Sequence, residues 1–343
     1  MSTKAPAQAT LVNPGKILQT ALAFWHSKAL LSAAELDLFT ILAQRPHTAA
    51  ELNGKLKLNG RGSRDLFDAL VSMDLLQRDG DQYRNSPDSD YFLDAAKPSY
   101  IGGFLQMTNA RLYPTWGALT QALRTGKPQN ESANAEDTFA ELYADKDRLK
   151  QFLSAMTGIS TPIAQVIAEK FNWSKYKTFT DVGTAQGALP IELVRRHEHL
   201  HGVGFDLPQC EPIFDEYARA NNQQARLKFA CGDFFKDDIP SSDVITLGHI
   251  LHDWDMNQKT LLIEKVYKAL PAGGSILIYD AMIDPERKHN TFGLLMSLNM
   301  LVETQGGFDY TSDDCASWLS AAGFNQIEVT QLTPGHSMCT GIK

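Results

Sequence analysis

Phe179-Thr-Asp-Val-Gly-Thr-Ala-Gln-Gly-Ala-Leu-Pro190, continuing into Ile191-Glu-Leu-Val-Arg-Arg196, is the stretch from which the fold is read. A β-type run from Thr178 to Val182 meets a glycine turn, and an apolar-periodic helix follows at once. Gly183 and Gly187 have no Cβ, so the backbone there turns tightly and lets a ligand lie against it. The helix beyond offers unpaired N–H groups and the positive end of its dipole to a carboxylate or phosphate. Such turns also arise for topological reasons alone, so the flanking sequence has to decide.

It does so by spacing. Val203-Gly-Phe-Asp-Leu207 reads as a second strand ending in an acid, Asp206, nineteen residues after Gly187. An acid at that tip accepts hydrogen bonds from a ribose diol. Leu227-Lys-Phe-Ala-Cys-Gly-Asp-Phe-Phe235 is a third strand ending in Asp233. The expected ligand is therefore a nucleoside. A dinucleotide turn, Gly-x-Gly-x-x-Gly, needs bare backbone where Thr184 and Ala185 stand. No Gly-Lys-Ser/Thr is present for a nucleoside triphosphate. A nucleoside with an amino-acid tail for the helix terminus fits better: S-adenosylmethionine.

The composition of the whole chain narrows the setting. At 343 residues it has room for two domains, and 43% hydrophobic with 21% charged content is that of a globular protein. A net charge of -8 argues against a nucleic-acid partner, because phosphate binding relies on clustered Lys and Arg. The first ten residues lack a signal-peptide core, and no apolar run approaches the eighteen or so residues of a membrane span. Cys210, Cys231, Cys315 and Cys339 are too scattered for a zinc motif, so reduced thiols in the cytoplasm are expected.

Residues 1–13 read as a disordered leader. From Pro14 to Leu93 the pattern is helical: Ala29 to Leu42 has helical apolar spacing, Thr48-Ala-Ala-Glu51 is a capping box, and Arg61 to Leu76 gives a third helix. Leu76 to Arg84 then reads as a hairpin turning at Asp79-Gly80. That order is a winged helix. The candidate recognition helix has two arginines but three aspartates, which repels phosphate, so DNA binding is not expected. The helix around Phe24 and Trp25 is better read as an association surface. Tyr100 to Trp173 is a second helical stretch, broken near Gly126-Lys-Pro-Gln-Asn130 and its acidic continuation.

From Thr178 strands alternate with helices. Asp243 to Leu251 is a fourth strand, Lys259 to Leu270 a helix, and Ser275 to Met282 a fifth strand. Helices over Phe292–Thr304 and Asp313–Ala322 precede closing strands Gln326–Leu332 and His336–Ile342. This order implies a parallel sheet with its ligand at the carboxyl ends of the strands. His249-Ile-Leu-His-Asp-Trp-Asp255 falls at that edge. Histidine is the side chain best poised to take a proton near neutral pH, and a hydroxyl attacks a methyl sulfonium poorly until its proton leaves. A structural histidine is the plainer reading of that residue taken alone.

Six motifs occur in one order: Asp181-Val-Gly-x-x-x-Gly187, Gly-Phe-Asp206-Leu-Pro208, Gly232-Asp233-Phe234, His252-Asp-Trp254, Leu-Pro-x-Gly-Gly274 and Gly306-Gly-Phe-Asp-Tyr-Thr311. Together they resemble the class I S-adenosylmethionine-dependent O-methyltransferases typified by plant caffeate and bacterial hydroxyindole or antibiotic-pathway enzymes. Ala-Glu35-Leu-x-Leu-Phe39 is similar to that family's dimerisation domain. The resemblance implies an α/β fold: a Rossmann-like doubly wound methyltransferase domain over 106–343, with substrate-pocket helices in 106–173. An N-terminal all-helical winged-helix dimerisation domain would occupy 1–105. By position it implies Gly183, Asp206, Asp233, Phe234 and Ser160 at the cofactor. His252 would be the base, flanked by Asp280 and Asp309, with Phe152, Met156 and Met300 in the substrate pocket.

The sequence departs from the family pattern in three places. The usual Gly-Gly-Gly-x-Gly turn is Gly-Thr-Ala-Gln-Gly, the lysine that plant enzymes carry four residues before the base is Gly248, and Ile159 replaces a polar substrate contact. The expectation is a cytoplasmic homodimer that methylates a hydroxyl of a small aromatic metabolite, with S-adenosylmethionine as cofactor and no metal. Carbon or nitrogen methylation, with a metal shared by His249 and His252 in one version, is the enzymatic rival. Residues three apart on a strand face oppositely, so that version needs the strand to have ended. A ligand-sensing winged-helix regulator is the rival of another class.

Overall fold

The structure is a computed structural model and describes residues 12–97, 99–130, 143 and 145–343. The expected leader, for residues 1–11, and the acidic continuation after Asn130 lie outside the described residues. The chain divides into two compact units at Asn109/Ala110. Each is taken by itself.

The first unit runs α1 (Gly15–Glu35), α2 (Leu38–Gln44), β1 (His47–Thr48), α3 (Ala49–Leu56), α4 (Gly60–Ser72), β2 (Leu76–Asp79), β3 (Gln82–Asn85), α5 (Pro87–Leu93) and α6 (Gly102–Met107). The helical pattern over Ala29–Leu42 is two helices rather than one, because Asp37 takes a left-handed φ of 55° between them. Thr48 and Glu51 form the expected capping box. The hairpin pairs Asp79 with Gln82, so Gly80, at φ 60°, and Asp81 form its turn, one residue later than expected. With β1 beside β3 the unit holds a three-stranded antiparallel sheet, so "all-helical" is too narrow a description. Its core is built on Leu38, Phe39, Phe67, Leu70 and Tyr83. Ile101 and Leu105 pack against that core, and the unit runs on to Asn109. On α1, Phe24 and Trp25 are 50% and 59% exposed, with Ile17 and Leu18 nearby on the same helix also exposed.

The second unit begins with α7 (Tyr113–Trp116), α8 (Leu119–Thr125) and the long α9 (Lys146–Lys170). Then come β4 (Thr178–Val182), α10 (Ala188–Arg196), β5 (His201–Asp206), α11 (Glu211–Ala220), β6 (Leu227–Cys231) and β7 (Val244–Gly248). The chain closes with α12 (Met256–Ala269), β8 (Ser275–Asp280), α13 (Thr291–Glu303), α14 (Ser312–Ala321), β9 (Asn325–Thr333) and β10 (His336–Ile342). The strands form one sheet in the order β6-β5-β4-β7-β8-β10-β9. The first five are parallel, and β10 runs antiparallel to both β8 and β9.

Strand order reverses at β4, which lies between β5 and β7. At such a reversal the connections leave to opposite faces and open a crevice at the carboxyl ends. The register lines those ends up: Val182 sits beside both Phe205 and Leu247, and Leu247 beside Ile278. Apolar clusters cover both faces, around Phe179, Leu193 and Phe214 on one and around Leu247, Leu262 and Ile278 on the other. Every residue of β8 is buried, as a central strand with two covered faces requires. No helix among the described residues is long and apolar enough to cross a membrane.

Candidate active site

The turn after β4 is held from below by acids. Gly183 adopts φ 69° and donates its N–H to the Phe205 carbonyl at 2.8 Å. A Cβ there would stand 2.3 Å from Ile250 Cδ1, so this backbone meets the segment after β7 without room for a side chain. Thr184, expected to fill space that a dinucleotide turn keeps bare, points inward and donates to Asp181 at 2.8 Å. Thr246 of β7 donates to the other oxygen of Asp181 at 2.6 Å. Burial pushes the Asp181 carboxyl up to about 6, against these two donors. Ala185 is itself left-handed, at φ 53°.

Asp206 ends β5 and is buried. It accepts from the Ala185 N–H at 2.8 Å and from the Leu207 N–H at 2.7 Å. Burial raises its pKa while these backbone donors oppose the rise. Its carboxylate thus joins the tip of β5 to the glycine turn. Asp233 lies two residues beyond β6, accepts from the Phe235 N–H at 2.9 Å and pairs with Lys236 at 2.9 Å. Burial would raise this carboxyl, but the ammonium and the backbone donors outweigh it and hold it low. The Phe234 ring lies 5.9 Å from that of Trp254, and Phe235 packs edge-on to the same indole at 4.6 Å.

Beyond β7 the strand has ended. Gly248 is its last residue, and a Cβ there would be 1.9 Å from the Tyr279 ring. The ring of β8 therefore fills the space beside Gly248, which gives this departure from the plant pattern a packing reason. His249 follows at φ 53°, and His252 sits in a 3-10 turn over Leu251–Asp253. The expected strand to Leu251 is thus three residues too long, because the left-handed residue turns the chain off the sheet. β8 likewise stops at Asp280 rather than Met282.

That turn gathers the acid–base cluster. His252 is 7% exposed, with Nδ1 3.3 Å from Asp309 Oδ1 and 3.6 Å from Asp280 Oδ1. Its Nε2 lies 3.7 Å from Asp253 Oδ1. Burial alone would lower the imidazole pKa, but Asp280, Asp253 and Asp309 outweigh it and lift it to about 10. Burial and the two other acids hold Asp253 up at about 6. Asp280, fully buried, accepts from the Tyr310 hydroxyl at 2.6 Å through its other oxygen. Burial would raise Asp280, but the two histidines and that hydroxyl keep it low, while burial lifts Asp309. With Nδ1–H given to the carboxylates, Nε2 is the nitrogen left to receive a proton.

His249 Nδ1 also approaches Asp280 Oδ1, at 3.6 Å, and its ring is 5.3 Å from that of His336. Burial and His249 push His336 down to about 4, so it is neutral. Because the strand has ended, ligand atoms of His249, His252 and Asp280 lie within 4.8 Å of one another. The steric objection to a shared ion therefore falls.

The remaining sequence candidates are more dispersed. Met300, on α13, is buried. Met156 and Ser160 are half-buried on α9. Phe152 packs against a cluster of Leu149, Leu153, Cys210 and Ile213, against which Ala185 of the glycine turn also packs. Sequence reasoning passed over Asp181, Asp253 and Tyr310. Each stands inside a quoted motif, within two residues of one that had already been given a role.

Comparison with known proteins places the chain in a family. The family model for the O-methyltransferase domain matches residues 116–325, and that for the O-methyltransferase dimerisation domain matches 18–95. The chain is 42% identical to the tetracenomycin polyketide synthesis 8-O-methyl transferase TcmO of Streptomyces glaucescens, over 96% of this chain and 97% of that one. It is 37% identical to the N,N-dimethyltransferase OxyT of Streptomyces rimosus, over 78% of each. The crystal structure of human N-acetylserotonin methyltransferase in complex with SAM superposes with a TM-score of 0.90, at 27% identity, over 98% of this chain and 99% of that one. This chain belongs to the O-methyltransferase family.

Proposed function

We propose that the chain, as a cytoplasmic homodimer, transfers the methyl group of S-adenosylmethionine to a phenolic hydroxyl of a polycyclic aromatic polyketide, with His252 as general base. The observation that carries this reading is the position of His252. Its Nδ1 is shared between Asp309 and Asp280 at 3.3 and 3.6 Å, and Ile250, which immediately precedes its turn, lies against Gly183. Base and glycine turn are thereby neighbours. TcmO, by its name, acts in polyketide synthesis, and that supports the substrate class.

The residues present fit the cofactor. A left-handed glycine turn with no room for a Cβ at Gly183 stands with a buried carboxylate at Asp206 and an aromatic face with an acid at Phe234 and Asp233. Gly183 would lie under the amino-acid tail, Asp206 at the ribose, and Asp233 with Phe234 at the adenine, with Ser160 near the methionine moiety. When bound, S-adenosylmethionine supplies an electrophilic methyl group on a sulfonium. Phe152, Met156 and Met300 would line the acceptor pocket.

His252 orients the acceptor hydroxyl and takes its proton on Nε2. Asp309 and Asp280 hold the ring and carry the charge of the imidazolium that forms. An imidazole lifted to about 10 is matched to a phenol, whose pKa is also about 10, so the proton moves with little free-energy gap. The exposed Phe24 and Trp25 of α1, within the matched dimerisation segment, give the homodimer its apolar surface.

The test is incubation with methyl-labelled cofactor and a panel of phenolic polycyclic acceptors, with the product's methyl located by NMR. An O-methyl product is expected, and methyl on nitrogen or carbon overturns the reading. His252→Ala should lower kcat by about 10²- to 10⁴-fold with cofactor affinity retained.

A further inference from the structure

We infer that Lys259 is a positioning residue, a staple that holds the loop bearing His252 against the loop bearing Asp309. Lys259 is 0% exposed, and burial lowers its ammonium to about 8, so it is mainly charged at neutral pH. It stands in the first turn of α12, where a cation meets the positive end of the helix dipole. Neither the helix dipole nor solvent explains a lysine there. Its contacts do.

The Nζ donates to the Trp254 carbonyl at 2.6 Å and to the Phe308 carbonyl at 3.1 Å. It also lies 3.4 Å from the centre of the Phe308 ring and 5.7 Å from that of Tyr310. Trp254 is two residues from His252, and Phe308 precedes Asp309. One side chain thus ties together the two segments whose separation sets the 3.3 Å His252–Asp309 contact. Asp280, Asp309, Asp253 and Asp255 favour its charge, so the same ammonium offsets the acids gathered round the imidazole.

The backbone was shaped for that closeness. A Cβ on Gly307 would stand 2.5 Å from the His252 carbonyl oxygen and 2.8 Å from the Asp253 carbonyl carbon. A Cβ on Gly306 would meet Asp255 at 3.0 Å. Two bare residues let the loops touch main chain to main chain, and the lysine closes them from the side.

The inference rests on His252 being the base, and its test separates the two. Lys259→Met and Lys259→Gln are measured for kcat, KM and affinity for the demethylated cofactor. The expected result is a loss of kcat of about 100-fold in the Met variant, as for a catalytic group displaced by ~1 Å. The Gln variant, which keeps an N–H donor, should fall between Met and wild type. Affinity for the demethylated cofactor should stay within about threefold, since the staple touches none of its proposed contacts. Unchanged kcat in Lys259→Met, or cofactor affinity falling in parallel with kcat, overturns the staple. If the Met variant does not fold, Gly307→Ala is measured instead. It forces the loops apart with the lysine in place and should lose kcat alone, and full turnover there overturns the inference equally. Full turnover in His252→Ala would instead defeat the base assignment on which the inference stands.

Discussion

Replacing Asp309 by Asn should move the enzyme's pH dependence toward acid, and the structure fixes the sign. Asp309 Oδ1 is the nearest carboxylate oxygen to His252 Nδ1, at 3.3 Å, and is one of three acids that lift the imidazole to about 10. An opposite charge at such range shifts a pKa by about 1–3 units. A carboxamide of the same shape keeps an oxygen for Nδ1–H but withdraws that charge. The base then loses its proton at lower pH, and the rising limb of kcat against pH moves from about 10 to roughly 7–9. Asp280 remains 3.6 Å away, so the limb should not fall all the way to the ordinary histidine value of about 6.5. The plateau should drop by about 10- to 100-fold, because a weaker and less firmly held base gives up part of the 10²–10⁴ that proton transfer contributes. The assay is initial rate with methyl-labelled cofactor at saturating acceptor, from about pH 6 to 10, the span between ordinary and raised histidine values. A limb that stays in place, or moves to alkaline pH, refutes the assignment of the imidazole as base.

Other perturbations test other parts of the molecule. Gly183→Ala places a Cβ 2.3 Å from Ile250 Cδ1 at a left-handed φ of 69°, so affinity for the demethylated cofactor should fall by about tenfold or more. Calorimetry showing wild-type affinity would contradict the placement of the cofactor at this turn. Trp25→Glu puts a charge on a ring 59% exposed on α1 and should convert dimer to monomer in light scattering, whereas an unchanged mass removes α1 from the interface. Prolonged chelation should leave kcat unaltered, because Asp280 is engaged by His252 and by the Tyr310 hydroxyl. Activity lost and then restored by zinc would reverse that.

The architecture was legible because the signals that set it are local. A strand, a glycine turn and a helix, then further strands alternating with helices and carrying acids at their tips, give the sheet and its ligand edge. Ends of elements were less legible for a definite reason. Strand β7 stops at Gly248 because Tyr279, thirty-one residues later, occupies the space of a Cβ and because His249 turns the chain. Nothing in the run from Asp243 to Leu251 announces either fact. The part played by Thr184 was hidden for a similar reason: its hydroxyl answers to Asp181, so the residue that sets this turn apart from a dinucleotide turn also supports it from within. Lys259 reads in sequence as one more polar residue on an amphipathic helix. Only the approach of Gly306 and Gly307 to the preceding loop makes it a buried bridge.

The same cluster couples catalysis to stability with opposite signs. His252 has a folded-state pKa raised to about 10 from an ordinary 6.5, so its proton stabilises the fold in full below about 6.5. That contribution is lost as pH rises through about 10, when Asp253, Asp280 and Asp309 are left with less cation to offset them. The deprotonated imidazole needed to accept a proton is therefore the form that supports the fold least. Turnover should climb across the window in which the melting temperature falls, provided other alkaline groups are held constant by comparison with a variant. His252→Gln keeps polarity but cannot titrate, and its melting temperature should decline less steeply between about pH 7 and 10, the span of the shifted titration. Parallel curves for the variant and the wild type would mean that the imidazole is not protonated in the folded protein at neutral pH. The acids around it would then be balanced by something else.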